Sequence, residues 1–181
     1  MAARTYVALL RGINLGSQRR VGMATLRELL TGHGHGDVRT YLQSGNIVLE
    51  SALSRARLEQ TLERQLATEL GFDVDVLVRT GAELATILKR NPLRRMATDP
   101  SRYLVTFLRE PLAKQVVQRL TAAAASPERI AASGRELYSW HPGGVGRSKL
   151  ATLLQPNALG VPASARNWRV VGQLAALAAD D

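Results

Sequence analysis

The segment Val38-Arg39-Thr40-Tyr41-Leu42-Gln43-Ser44-Gly45-Asn46-Ile47-Val48-Leu49-Glu50 divides into two β-prone runs. Val38 to Gln43 and Ile47 to Glu50 flank Ser44-Gly45-Asn46, where Gly and Asn offer positive φ, so the segment reads as a hairpin. A second hairpin has the same design: Glu128 to Ser133 and Glu136 to His141 flank Ser133-Gly134-Arg135, in the same place in its surroundings as Ser44-Gly45-Asn46.

Outward from each hairpin, the flanking elements repeat in one order. Tyr6 to Arg11 is a β-prone run followed by a Gly-containing loop and a helix from about Met23 to His33. After the hairpin, Ser54 stands at a helix start, Leu58, Leu62, Leu66 and Leu70 recur at four-residue spacing, and Gly71 occupies the C-terminal left-handed position. Val74 to Arg79 predicts a strand. Thr80 with Glu83 makes a capping box for a helix carrying Leu84, Ile87 and Leu88, and Asn91-Pro92 ends it.

From Tyr103 the order restarts. A strand from Tyr103 to Arg109 precedes a helix with Pro111 near its start and Leu112, Val116 and Leu120 on one face, then a break at Ser126-Pro127. After the second hairpin, Gly143-Gly144-Val145-Gly146 leads to a helix from about Ser148. Ala163 to Arg166 forms a short last strand, and Asn167 caps a C-terminal helix through Leu177. The expected fold is α+β: two ferredoxin-like βαββαβ pseudo-repeats, the second degenerate with an extra C-terminal helix. Residues 1–91 and 102–181 form the halves, joined around residues 92–101 and packed as one unit, and internal duplication is the simplest origin.

Composition narrows the function classes. The 181 residues are 45 % hydrophobic, enough for a packed core. With no cysteine, disulfides, thiolate metal sites and cysteine nucleophiles are excluded, which fits a reducing, cytoplasmic setting. The N-terminal apolar run Tyr6 to Leu10 is too short for a signal-peptide core, and no apolar run approaches the roughly 18 residues of a membrane span. The net charge is +9, and the only lysines are Lys89, Lys114 and Lys149. An arginine-dominated excess favours an anionic partner, through the bidentate grip of guanidinium on phosphate or carboxylate. A GC-rich genome would give the same bias without any partner.

Three polar clusters stand out. In a split βαβ unit the loop after the first strand and the hairpin after the second share one end of the sheet, which gathers Arg11, Asn14, Gln43, Ser44 and Asn46, with Gly12, Gly16 and Gly45 allowing close approach. These residues make a ligand rim, or ordinary turn chemistry. Gly146, Arg147, Ser148 and Lys149 end a glycine-rich turn at a helix start, an anion-binding arrangement that lacks the phosphate-loop spacing; the alternative is a turn and cap. Arg166 and Asn167, beside Trp168 and Arg169, would hold a planar or phosphorylated ligand or simply cap and pack the last helix.

His33-Gly34-His35 lacks a third ligand at an interpretable spacing, so no metal site is expected. His141 ends a strand, with neither nucleophile nor orienting acid indicated by spacing. No Gly-x-Ser-x-Gly elbow occurs. The Lys/Arg-Gly-aromatic run of RNA-recognition modules is missing, and Tyr6 and Tyr41 would either line one sheet face or serve as core and strand filler.

Four blocks in order resemble the bacterial family called domain of unknown function 1697. They are Tyr6-Val7-Ala8-Leu9-Leu10-Arg11-Gly12-Ile13-Asn14; Val38-Arg39-Thr40-Tyr41 with Gln43-Ser44-Gly45-Asn46; Gly146-Arg147-Ser148-Lys149-Leu150; and Ala165-Arg166-Asn167-Trp168. The exit Gly32 to Gly36 is looser than the family pattern. The resemblance implies the fold and no reaction.

The leading expectation is a protein that binds a phosphorylated or carboxylate small molecule, such as a nucleotide, where the halves meet. Arg11 and Arg147 would clamp the anion, Asn14, Gln43 and Asn46 would orient the remainder, and Lys149 and Ser148 would act at the helix start. No cofactor and no general base follow from spacing. The rivals are a nucleic-acid-binding module reading backbone phosphates through its basic charge, and a structural or interaction protein whose clusters are caps and turns.

Overall fold

The computed structural model describes residues 3–14 and 19–179. The chain divides into two compact units, Met1–Ala85 with Leu174–Asp181, and Thr86–Gln173. It is α+β, and each unit holds one four-stranded antiparallel sheet.

In the first half the order is β1 (Arg4–Arg11), α1 (Met23–Gly32), β2 (Gly36–Tyr41), β3 (Asn46–Ser51), α2 (Arg55–Leu70), β4 (Asp75–Thr80) and α3 (Gly81–Arg90). The sheet order is β2-β3-β1-β4, that of a ferredoxin-like unit. Alternate residues of β1, Tyr6, Ala8 and Leu10, face α1 and α2, where Leu26, Leu30, Leu58, Leu62 and Leu66 complete a core. Gly71 ends α2 in the left-handed conformation at φ 74°. Ser54 sits at the N-cap of α2 but its side chain makes no capping bond.

The second half runs β5 (Tyr103–Leu108), α4 (Lys114–Ala123), β6 (Arg129–Ser133), β7 (Glu136–Trp140), a 3-10 turn at Val145–Arg147, α5 (Lys149–Leu153), α6 (Pro156–Leu159), β8 (Ala163–Asn167) and α7 (Trp168–Leu177). Its sheet order, β6-β7-β5-β8, matches the first. Its departure from the first pass is the second crossover, which is split: Pro156 opens α6 as a separate short helix. Leu108, Leu120, Leu137, Leu150, Leu154 and Leu159 form its helix-facing core.

Several local expectations shift. Helix α4 begins at Lys114, so Pro111 and Leu112 precede it. β2 ends at Tyr41, because Leu42 adopts φ 58° and leaves the ladder. Asn46 is not a positive-φ turn residue; it opens β3 and is fully buried. The two hairpin turns are also offset by one residue in register: Leu10 N–H donates to the Gly45 carbonyl and Leu108 N–H to that of Arg135, which pairs Arg135 with Gly45 rather than with Asn46. Tyr6 and Tyr41 do not share a sheet face. Tyr41 lies opposite Asn46, which lies opposite Leu9, whereas Tyr6 faces the helices with Ala8.

Candidate functional site

The first polar cluster assembles at one end of the first sheet. Asn14, at φ 55°, staples the loop after β1 to the hairpin: its Nδ2 donates to the carbonyls of Gln43 (2.7 Å) and Val21 (3.2 Å), and its Oδ1 accepts from Val21 N–H (2.8 Å). Asn46 Nδ2 donates to the Tyr41 carbonyl and to Ser44 Oγ, both at 2.9 Å. Both side-chain amides thus serve the backbone of the hairpin. Arg11 is partly exposed and sits 3.4 Å from the Asp75 carboxylate on the neighbouring strand. The Gln43 side chain is exposed. Gly12 has φ 87°, and Gly16 lies outside the described residues.

The second and third clusters meet at one end of the second sheet. Tyr103 lies opposite Trp140, Leu104 opposite Asn167, and Arg129 opposite Trp140. The start of β5, the end of β7, the start of β6 and the β8–α7 junction therefore share that end, and Tyr103 stacks on Trp168 at 4.7 Å. Gly146, Arg147, Ser148 and Lys149 leave β7 there, and Asn167 caps α7 by accepting from Val170 N–H at 2.9 Å. Arg166 is buried; its Nη1 donates to Ser164 Oγ and the Ala165 carbonyl, both at 2.8 Å. Burial pushes its guanidinium down to about 10, which leaves it charged at neutral pH.

Charge at this end is unbalanced. Arg102, Arg129, Arg147, Lys149 and Arg169 are exposed there, with Asp99 and Glu128 as the neighbouring acids. Hydrogen bonds from Ser101, with help from Arg102 and Arg169, hold the Asp99 carboxyl below its ordinary range. Arg102 also donates to the Pro142 carbonyl, tying the loop to the entry of β5. Arg147 and Lys149 have no ion pair or side-chain hydrogen bond among the described residues.

Beneath the loop lies a group that spacing alone did not reveal. His141 is fully buried; its Nδ1 lies 2.8 Å from Ser148 Oγ and 3.5 Å from Glu128 Oε1, and its Nε2 lies 2.8 Å from Ser139 Oγ. Burial lowers the imidazole below its ordinary value, and Glu128 only partly offsets this. Ser148 Oγ also accepts from Ala151 N–H at 2.9 Å as the cap of α5. The i, i+2 spacing of Ser139 and His141 on a strand was the available signal that they share a face. His33 and His35 sit elsewhere, against Glu69 (3.3 Å) and Gln65 (2.9 Å) respectively.

Two ferredoxin-like units, each with one four-stranded antiparallel sheet, make this a two-unit α+β protein. The chain belongs to the family described as "Protein of unknown function (DUF1697)", whose model matches residues 3–138. The loop at Gly146 and the β8–α7 junction lie beyond the matched span. Among solved structures, the chain is similar over 98 % of its length to the conserved bacterial protein SP0830 from Streptococcus pneumoniae, over 99 % of that chain, at 25 % identity and a TM-score of 0.71. No curated protein matches the sequence. No helix among the described residues is long and apolar enough to cross a membrane.

Proposed function

We propose that the protein binds a small phosphorylated or carboxylate molecule, such as a nucleotide, at the basic end of its second sheet. The observation that carries this reading is the pair Arg147, at the end of a glycine-rich loop, and Lys149, at the start of α5, both exposed and without an acidic partner among the described residues. Two exposed cations on alternate residues, Arg147 and Lys149, at the same end as Arg102 and Arg169, give an anion charge-assisted contacts from several directions. Asn167 is committed as the cap of α7, Ser148 Oγ accepts the cap bond of α5 while its hydroxyl faces His141, and Arg166 contributes field rather than contact because it is buried.

In the first unit, Asn14, Ser44 and Asn46 are engaged by the hairpin, which leaves Arg11 and Gln43 as the side chains best placed for a ligand there. A cytoplasmic setting fits the cysteine-free composition. Duplication of one ancestral unit is supported by buried arginines in register: Arg79 lies opposite Val7 and Arg166 opposite Val105, and each donates from Nη1 to the carbonyl of the residue before it.

Thermal unfolding of the full chain and of Arg147→Ala and Lys149→Ala, with inorganic phosphate, citrate, a nucleoside monophosphate and mixed RNA, tests the binding reading. A ligand at about 100 times its Kd adds roughly 2.7 kcal/mol, which raises the midpoint of a chain this long by about 5 to 11 °C. A rise with one small anion that survives moderate salt and disappears in both variants is expected. A rise with RNA alone that salt abolishes would instead favour backbone-phosphate binding driven by the +9 charge. No rise with any probe leaves the clusters as caps and turns.

A further inference from the structure

We infer that Ser148 and His141 form a nucleophile and base pair that hydrolyses an acyl ester whose far end carries the anion. The recognition of that anion rests on the binding reading above; the pair itself rests on separate geometry. His141 Nδ1 and Ser148 Oγ are 2.8 Å apart, within reach for proton transfer. Ser139 Oγ stands 2.8 Å from Nε2 on the other side of the ring. With the imidazole proton on Nε2 and donated to Ser139, Nδ1 is left as an acceptor facing the Ser148 hydroxyl. Glu128 Oε1, 3.5 Å from Nδ1, is placed to stabilise the imidazolium that forms when that proton moves.

Accessibility decides which serine is the nucleophile. Ser139 is 0 % exposed and lies within the sheet face, so it can only orient the ring. Ser148 is partly exposed, on the same loop as Arg147 and Lys149. Burial keeps His141 neutral near pH 7, as a base must be before it accepts a proton. The other titratable and charged groups around this end are Glu128 and Arg129 at the entry of β6, Asp99 and Arg102 before β5, Arg147 on the loop, Lys149 on α5, buried Arg166 on β8 and Arg169 on α7.

The proposed reaction is balanced without any added redox partner. Ser148 Oγ bonds to the acyl carbon as its proton passes to His141 Nδ1, and the alcohol leaves with that proton. Water then gives a proton to Nδ1 and bonds to the acyl carbon, and Ser148 Oγ leaves and recovers the proton. Ester and water become acid and alcohol.

An alkyl fluorophosphonate tests the pair directly, because Ser148 Oγ would displace fluoride and keep the phosphorus, whether or not an anion binds nearby. The full chain is treated at a series of pH values, digested, and the modified serine located by mass spectrometry. The expected result is a single adduct on Ser148, forming at a rate that rises with pH through a midpoint below the ordinary histidine value of 6.5. In His141→Gln the rate should fall about 100-fold or more. Glu128→Gln, a positioning variant, should lower the rate about tenfold and move the midpoint further down, a shift that a purely structural role would not produce. Circular dichroism of each variant identifies any that fail to fold, and the mapping on the unaltered chain decides the matter without them. Labelling of Ser148 no faster than in the urea-unfolded chain, or unaffected by His141→Gln in a folded variant, overturns the inference. Phosphate stabilisation without labelling would sink the pair and leave the anion site; labelling without phosphate stabilisation would do the reverse.

Discussion

Gly45 carries two constraints at once. Its φ is 72°, and a Cβ built on it would lie 2.7 Å from Leu10 Cβ and 2.9 Å from Ile13 Cδ1. Gly71 shares the first constraint, at φ 74°, with nothing within 4 Å of its missing side chain. Gly71→Ala should therefore cost only the left-handed strain, about 1 to 2 kcal/mol. Gly45→Ala should add overpacking against β1 and cost about 2 to 4 kcal/mol. Urea midpoints of the two variants check this, and equal losses would mean that the hairpin gives way around the methyl group. At this scale the sequence was readable for the glycine and misleading for its neighbours. Asn46 has turn-residue chemistry but is buried in β3, and the exposed Leu42 takes the second left-handed position, which no side-chain rule would assign to a leucine.

The pairing of α2 with β4 shows what hydrophobic spacing reveals and what it hides. Leu58, Leu62 and Leu66 mark the buried face of α2 plainly. One position along from Leu58 and Leu62, Glu59 and Glu63 look like a solvated i, i+4 acid pair, yet Glu59 Oε1 accepts from Val78 N–H at 2.8 Å and Glu63 Oε1 from Val76 N–H at 3.0 Å. β4 is an edge strand, and these carboxylates satisfy amides that no neighbouring strand reaches. Sequence cannot show this, because it depends on which edge the helix crosses. Glu59 is buried, so Glu59→Ala should strand the Val78 amide and cost about 1 to 3 kcal/mol, whereas Glu59→Gln keeps an acceptor and should cost less than half of that. Denaturant unfolding gives the energies, and faster hydrogen exchange at Val78 in the alanine variant alone would locate the cause. The capping box of α3 was legible because it is local in sequence: Glu83 N–H donates to Thr80 Oγ1 at 3.1 Å, and Thr80 N–H to Glu83 Oε2 at 2.9 Å. Similarly local reasoning placed Ser148 and Asn167 at helix starts but could not see His141 closing on Ser148, since their partnership depends on the path of the loop between them.

At the scale of the whole chain, the repeated order of elements was visible, but the allegiance of the C-terminal helix was not. The last part of α7 belongs to the first compact unit rather than the second. Within that unit, Arg39 Nη2 donates to the Leu177 carbonyl at 3.1 Å, Leu174 is fully buried, and the Ala178 carbonyl lies where a Cβ on Gly81 would come within 2.5 Å. The absence of a side chain at Gly81 is thus matched to a segment nearly a hundred residues away, a correspondence no local pattern records. A unit drawn from both ends of the chain predicts that truncation after Gln173 harms the first sheet, despite removing only the end of the sequence. Losing buried Leu174, Ala175 and Ala178 should cost about 3 to 5 kcal/mol, a fall of roughly 6 to 20 °C in the midpoint. Hydrogen exchange gives the sharper reading: amides of β2 and β3 should exchange faster in the truncated chain, while those pairing β5 with β7 keep their protection. If protection instead falls mainly in the second sheet, the end of α7 stabilises the unit that precedes it in the chain, and the arginine at position 39 is only a surface contact for it.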